Sequence, residues 1–300
     1  MAVDLAQNTL DGLLIGSSYA LLAIGFTLIF GVMRRLNLAY GPTVMAGVYL
    51  GTYAFVSLGV PLLVVLAIVV IGAALIGLYV ERLCFRPFGE AARTASMVAS
   101  FALWMQLEEA ATLLLPRHMN PFPALISAPA IEIGPLMLRA DHLVMLAVTL
   151  VVAGGVTALL SRTRFGLAVR AVIDQPRAAA IVGIHVQRVM MLTFVIASAI
   201  GGVAGFLIAA TDAQVTAMMG MWATTKGLVA MMLGGLGSVR GAIAGGLLLG
   251  VIEAHTQWFL GPQVRDMAAW GLLFFILAFW PGGLMGARAL DRTMAVGRRV

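Results

Sequence analysis

Apolar residues run along this chain in nine stretches of roughly 20, none with the in-out alternation of a strand. They are about Leu10–Met33, Leu36–Leu58, Pro61–Val80, Thr94–Leu115, His142–Leu160, Val189–Thr211, Ala217–Leu236, Ala242–Phe259 and Asp266–Trp280. Backbone groups in hydrocarbon need internal partners, so runs of this length cross as helices. The pattern predicts an all-α, polytopic membrane helix bundle of about eight to nine transmembrane helices, one domain over residues 1–300. The seventh stretch is interrupted by Lys226 and several glycines. It reads either as a full crossing or as a re-entrant pair of half-helices.

Composition agrees. The chain is 61% hydrophobic and 11% charged, where a soluble domain is near half apolar and a quarter charged. Its net charge of +6 comes from basic residues that, all but Lys226, are arginine. They gather at the ends of the apolar runs, which suits anchoring at anionic headgroups and not nucleic-acid binding. With the N-terminus outside and the C-terminus inside, fifteen bases fall on the inner side and four on the outer. That is the positive-inside arrangement. The start, MAVDLAQNTLDG, holds two acids and no base, so no cleavable signal is expected. The single cysteine, Cys84, forms no intramolecular disulfide and reads as a small buried apolar residue.

Two intervals stand apart. Ser161–Arg188 carries Arg162, Arg164, Arg170, Arg177 and Arg188 against one acid, Asp174. Its charge places it inside, and its length allows a short helix for a soluble partner to grip. Pro116–Asp141 holds Pro116, Pro121, Pro123, Pro129 and Pro135, so it is not one continuous helix. It reads as an outer docking surface or an irregular connector. Repeated Gly-x-x-x-Gly spacing, as at Gly12/Gly16 and Gly246/Gly250, suits close helix packing in lipid. The cluster Gly234-Gly235-Leu236-Gly237 reads as a helix break.

Catalytic chemistry has no evident home. The nearest string to a phosphate-binding loop, Gly220–Gly227, has Thr225 where a glycine is required. His118, His142, His185 and His255 are too scattered for a metal site. Ionisable groups inside apolar runs are the better candidates. Glu108 and Glu109 either make structural hydrogen bonds or line a polar cavity, as does Glu253; Asp11 lies near a helix end and reaches water. Lys226 either faces an anionic substrate group or a carboxylate such as Glu109, or reaches the outer interface along its own stem. Near Arg34–Gly51, the residues Asn37, Gly41 and Pro42 interrupt helix. Freed backbone groups there suit a small zwitterion, or form an ordinary turn.

Five strings in order carry a resemblance. They are GLLIGSSYALLAIGFTLIFGVMRRLNLAYG at 12–41, ERLCFRP at 81–87, FGLAVRAVIDQPRAAAIVGIHVQRV at 165–189, KGLVAMMLGGLGSVRGAIAGGLLLGVIEA at 226–254 and PGGLMG at 281–286. The chain resembles the LivH-like permease subunits of branched-chain amino acid ABC importers along nearly its whole length. The resemblance implies a transport subunit, not an enzyme, in a bacterial inner membrane. It implies a second permease subunit (homologous or identical), two cytoplasmic ABC ATPase subunits carrying ATP and Mg, and a periplasmic solute-binding protein. No cofactor belongs to this chain itself. The 161–188 segment is similar to the family's coupling segment, with Arg170, Ala171, Asp174, Ala179 and Gly183 on the part that docks the ATPase. The family's Asn-Phe-Ala-His-Gly-Glu run corresponds to Asn37, Leu38, Ala39, Tyr40, Gly41 and Pro42 here. The histidine and acid are replaced, so the substrate is a branched-chain amino acid or another small polar solute such as urea, an amide or an organic or aromatic acid; the alternative class is a self-sufficient secondary transporter or channel. Asn37, Tyr40, Gly41, Glu109 and Lys226 are the pathway candidates.

Overall fold

The computed structural model describes residues 2–88, 92–115, 117–125, 131–133, 136–280 and 282–285. The arginine-bearing tail from Gly286 and three of the five prolines (Pro116, Pro129, Pro135) lie outside them. Each apolar run forms one long helix: α1 (Ala2–Met33), α2 (Tyr40–Leu58), α3 (Leu62–Val80), α4 (Arg93–Leu114), α5 (Ala140–Arg162), α8 (Val186–Asp212), α9 (Met219–Gly234), α10 (Val239–Leu260) and α11 (Arg265–Phe279). Between α5 and α8 lie two short helices, α6 (Arg164–Asp174) and α7 (Pro176–Ile181). Among the described residues, five helices, α1, α3 with its extension to Phe85, α5, α8 and α10, are long and apolar enough to cross a membrane. The seventh run is a single unbroken helix of 16 residues, not two halves. At 1.5 Å per residue it reaches about 24 Å, less than the ~30 Å hydrocarbon core.

Local chemistry sets the breaks. The turn between α9 and α10 needs positive φ at Gly235 (109°) and Gly237 (82°), which glycine adopts without a Cβ clash. Gly59 closes α2 in the left-handed region, and Pro61 precedes α3. After Val80 the helix widens into a π-turn, Glu81–Phe85, with Arg86 N–H donating to Glu81 O at 2.9 Å.

The chain forms two compact units, with boundaries inside α1, α5 and α9. The first holds Met1–Thr27, Ala128–Leu150 and Lys226–Val300. In it α1 lies backbone-close on α10. A Cβ added at Gly12 would meet Val251 Cα at 2.7 Å, and one at Gly16 would meet Gly246 O at 2.9 Å. A Cβ at Gly246 or Gly250 would in turn strike Ala20, or Gly12 and Gly16. The Gly-x-x-x-Gly pairs are therefore packing devices. Gly246→Val is expected to cost at least about 1–3 kcal/mol by overpacking, read as a lower melting temperature of the purified protein. The strands β2 (Ile131–Ile133) and β3 (Leu136–Leu138) form an antiparallel hairpin. Gln7 ties it to α1, donating to Met137 O at 2.7 Å and accepting from Met137 N–H at 3.0 Å.

The second unit holds Leu28–Ser127 and Val151–Thr225. Its core is α2, α3 and α8, which bury Tyr40, Tyr49, Val69, Ala73 and Phe194. Two-residue strands β1 (Asn120–Pro121) and β4 (Gln214–Val215) pair antiparallel. Among its described residues, the Pro-rich segment thus carries two short antiparallel pairings, β1 with β4 and β2 with β3. Cys84 is buried, as its apolar reading expects.

Candidate functional site

The 161–188 segment folds into two short helices on an apolar foot. Thr163 caps α6, its Oγ1 accepting from Gly166 N–H at 3.0 Å. Val169 and Val172 face inward and are fully buried with Val32, Ala179 and Val189. Full burial of a valine contributes about 1.5–3 kcal/mol, enough to hold a short helix that isolated would not form. Arg34 fixes the end of α6, its Nη2 donating to Ile173 O at 2.9 Å; a cation there also complements the helix dipole. Leu167, Arg170 and Asp174, at i, i+3 and i+7, line the outer face. Pro176 opens α7, and Gly183 closes it at φ 88°. Gly183 N–H donates to Ala180 O (3.1 Å) and Ile184 N–H to Ala179 O (3.0 Å), a Schellman motif.

The five residues singled out in this segment therefore sit together but do different things. Ala179 is buried in the foot, Ala171 is half-buried, Arg170 and Asp174 are exposed, and Gly183 ends α7. Ile181, 87% exposed, and Val182 add apolar surface beside the charges. A rigid, mixed face of this kind suits a protein partner.

At the α1–α2 junction the chain leaves helix over Arg34–Ala39, with Arg34 in the left-handed region at φ 50°. Asn37 Oδ1 accepts from Ala39 N–H at 3.1 Å, and Ser100 Oγ accepts from Leu38 N–H at 3.3 Å. Asn37 is buried, and its Nδ2 has no hydrogen-bond partner. Tyr40 is buried too, donating to Ala197 O at 3.2 Å. A Cβ on Gly41 would collide with Gly220 O and Thr224, so this glycine lets α2 meet α9. Pro42, within the first turn of α2, is tolerated there. On α4, Glu108 accepts from Trp104 Nε1–H at 2.8 Å, whereas Glu109 is exposed.

Lys226 ends in a buried ion cluster of the first unit. Its Nζ donates to Glu253 Oε1 and, at 2.6 Å, to Asp266 Oδ1. Glu253 Oε2 accepts from Tyr19 O–H and from Arg265 Nε–H, each at 2.8 Å. Arg265 Nη2 donates to the Tyr19 hydroxyl. Lys226 and Glu253 are 3% and 1% exposed. Two cations and two carboxylates cancel, which is the condition for keeping charge in an apolar surround. The carboxylates that hold Lys226 are thus Glu253 and Asp266. A lone lysine and a glutamate in neighbouring apolar runs signalled half of this cluster. Tyr19, inside an unremarkable apolar string, gave no signal, and Arg265–Asp266 read as an ordinary helix start.

Long apolar helices, with a short amphipathic pair inserted between two of them, define a multi-pass helical membrane protein. Residues 8–279 match the family described as branched-chain amino acid transport system / permease component. The chain belongs to that family. It is 31% identical over 298 residues to the high-affinity branched-chain amino acid transport system permease protein BraD of Pseudomonas aeruginosa, covering 95% of this chain and 97% of that one. It is 30% identical, with the same coverage, to the LivH permease protein of that transport system in Salmonella typhimurium. A probable LivH of Methanocaldococcus jannaschii is 26% identical, over 86% of this chain and 83% of its own length. Among solved structures, PsaBC from Streptococcus pneumoniae in complex with Fab covers 89% of this chain and 90% of that one, at 12% identity and a TM-score of 0.49. That likeness is too slight to decide anything about this chain.

Proposed function

We propose that this chain is one permease half of an ATP-driven importer for a branched-chain amino acid. It sits in a bacterial inner membrane with its N-terminus outside and its C-terminus inside. Bond chemistry happens elsewhere: two cytoplasmic ATPases hold ATP and Mg, a second permease completes the pore, and a periplasmic binding protein delivers the solute. The observation that carries this reading is the α6–α7 pair. It is anchored by buried valines, closed by Gly183 and exposes Arg170 and Asp174. Such a rigid lever turns closure of an ATPase pair into movement of the attached helices α5 and α8. A carrier that works alone has no use for it.

The solute path runs by the unwound Arg34–Ala39 segment. An orphaned buried donor, Asn37 Nδ2, supports that assignment, since unwound chain between apolar helices offers polar groups to a zwitterion. Tyr40 and Gly41 shape this segment, and Glu109 adds an exposed carboxylate on α4; in the first unit, Lys226 is a further pathway candidate.

Proteoliposomes holding the chain, a second permease, the two ATPases and the binding protein are expected to take up leucine only with ATP. Concentrative leucine uptake by the purified chain alone sinks the proposal. Orientation has its own check. Gln175→Cys places an exposed thiol in a chain whose Cys84 is buried, and a membrane-impermeant maleimide should label it only from the inner face.

A further inference from the structure

Where α3 widens into its π-turn, the backbone bonds residues five apart, and Arg86 N–H donates to Glu81 O at 2.9 Å. Both side chains line one cavity of the second unit, of about 290 Å³. Small-molecule clefts begin near this size, at about 300 Å³. Glu81 is 4% exposed, and its carboxylate makes no hydrogen bond or ion pair among the described residues. Arg86 and Arg82 act on it through charge alone. A buried carboxylate in that condition calls for a donor.

The other walls say what brings that donor. Arg34 lines the cavity from the α1–α2 junction. One of its N–H groups is taken by Ile173 O, and a guanidinium has several more to offer. Beside these charges the lining is apolar. Val32, Phe85 and Val172 are buried, and Met190 of α8 is half-buried. An acceptor, two forked donors and an aliphatic wall on one cavity are the complement of a free amino acid with a branched apolar side chain. Its ammonium meets Glu81, its carboxylate meets Arg86 and Arg34, and its side chain lies on the valines. A purely anionic ligand leaves Glu81 unmatched, and a purely cationic one is repelled by the arginines.

We infer that this cavity is an inner-face site for the transported amino acid, and that its occupation slows further import. The inference rests on the permease reading above, which puts the α6–α7 pair on the inner side. The cavity joins parts that have to move against each other. Glu81, Phe85 and Arg86 belong to the extension of α3, and Val172 and Pro176 to the α6–α7 pair. A ligand held by Glu81 and packed on Val172 ties the pair to α3. It therefore favours the present spacing over any stroke that changes it. Amino acid accumulated inside so restrains its own importer.

Binding is tested on the purified full chain in detergent, by isothermal titration calorimetry with leucine. Leucine should bind. Isocaproate, which lacks the ammonium, and isoamylamine, which lacks the carboxylate, should each bind about tenfold more weakly or worse. Glu81→Gln keeps the shape, removes the charge and should weaken leucine about tenfold, the loss of one charge-assisted contact. Arg86 is exposed, so Arg86→Gln carries the same test where Glu81→Gln fails to fold. Proteoliposomes of the assembled complex are then sealed with ATP inside, with or without leucine. Leucine at about ten times its measured Kd leaves roughly one site in eleven open, so uptake into the loaded vesicles should fall about tenfold. In either variant the loaded and empty vesicles should differ far less. No leucine binding to the chain, unchanged binding in the variants that fold, or equal uptake by loaded and empty vesicles overturns the inference alone. A complex that imports no leucine with ATP overturns the permease reading and the inference with it.

Discussion

Glu253→Leu is expected to be the most damaging single change in the buried ion cluster. Glu253 is the hub, taking Lys226, Arg265 and Tyr19 on its two oxygens. Without it, two cations remain against the single, largely exposed carboxylate of Asp266. Breaking a buried pair from one side costs about 3–5 kcal/mol. The melting temperature of the purified protein should fall sharply, with less protein in the membrane. Lys226→Met should be milder, because Glu253 keeps both Tyr19 and Arg265 as donors. The double variant Lys226→Met/Glu253→Leu should recover much of the loss, since it removes one charge of each sign. A double-mutant cycle gives the coupling directly. If the double variant is as unstable as the two losses added together, the pair is not the unit that matters. If it is stable but no longer transports, the cluster serves the solute path as well as the fold.

Gly183→Val should abolish transport while leaving the membrane helices in place. No atom stands within 4 Å of a Cβ at this position, so crowding is not the obstacle. The obstacle is φ at 88°, where a β-branched residue is a genuine outlier. Relief requires opening the Schellman motif that holds the end of α7, and with it the register of Ile181 and Val182 on the docking face. Leucine uptake and substrate-stimulated ATP hydrolysis by the assembled complex should both fall at least tenfold, with the permease present at normal level. Gly183→Asn tolerates the left-handed region and should retain most activity. Equal uptake in the Val and Gly forms removes the coupling role. Asp174→Trp tests the same face without backbone strain, because Asp174 is exposed, and should reduce uptake by steric misfit alone.

Much of this molecule is legible in its sequence. The helices α1 to α5 and α8 to α11 fall on the nine apolar runs, because hydropathy over about 20 residues is a local property that lipid enforces. The break at Gly235–Gly237 was visible because only glycine relieves positive φ so cheaply. The amphipathic 161–188 segment was visible because its charges interrupt long apolar stretches. Its division into two helices, α6 and α7, was not read from the sequence, which allowed a single short helix; Pro176 at the start of α7 marks the division.

Other features had no local signature. The seventh run was ambiguous because one lysine and a few glycines lower hydropathy without stopping a helix. It is continuous because its polar group found partners after folding. The π-turn at Glu81–Phe85 leaves no mark in hydropathy, since it alters the hydrogen-bond register and not the side-chain pattern. The sequence by itself determined which nine stretches become helices, and that the charged 161–188 segment interrupts them. Only the tertiary structure decided which carboxylate takes Lys226, and that Gly12, Gly16, Gly246 and Gly250 form one contact. Periodicity and hydropathy act within a few turns of one helix. The partner of a buried charge depends on which helices lie side by side, and residues 19, 226, 253 and 265 meet only after α1, α9, α10 and α11 have packed.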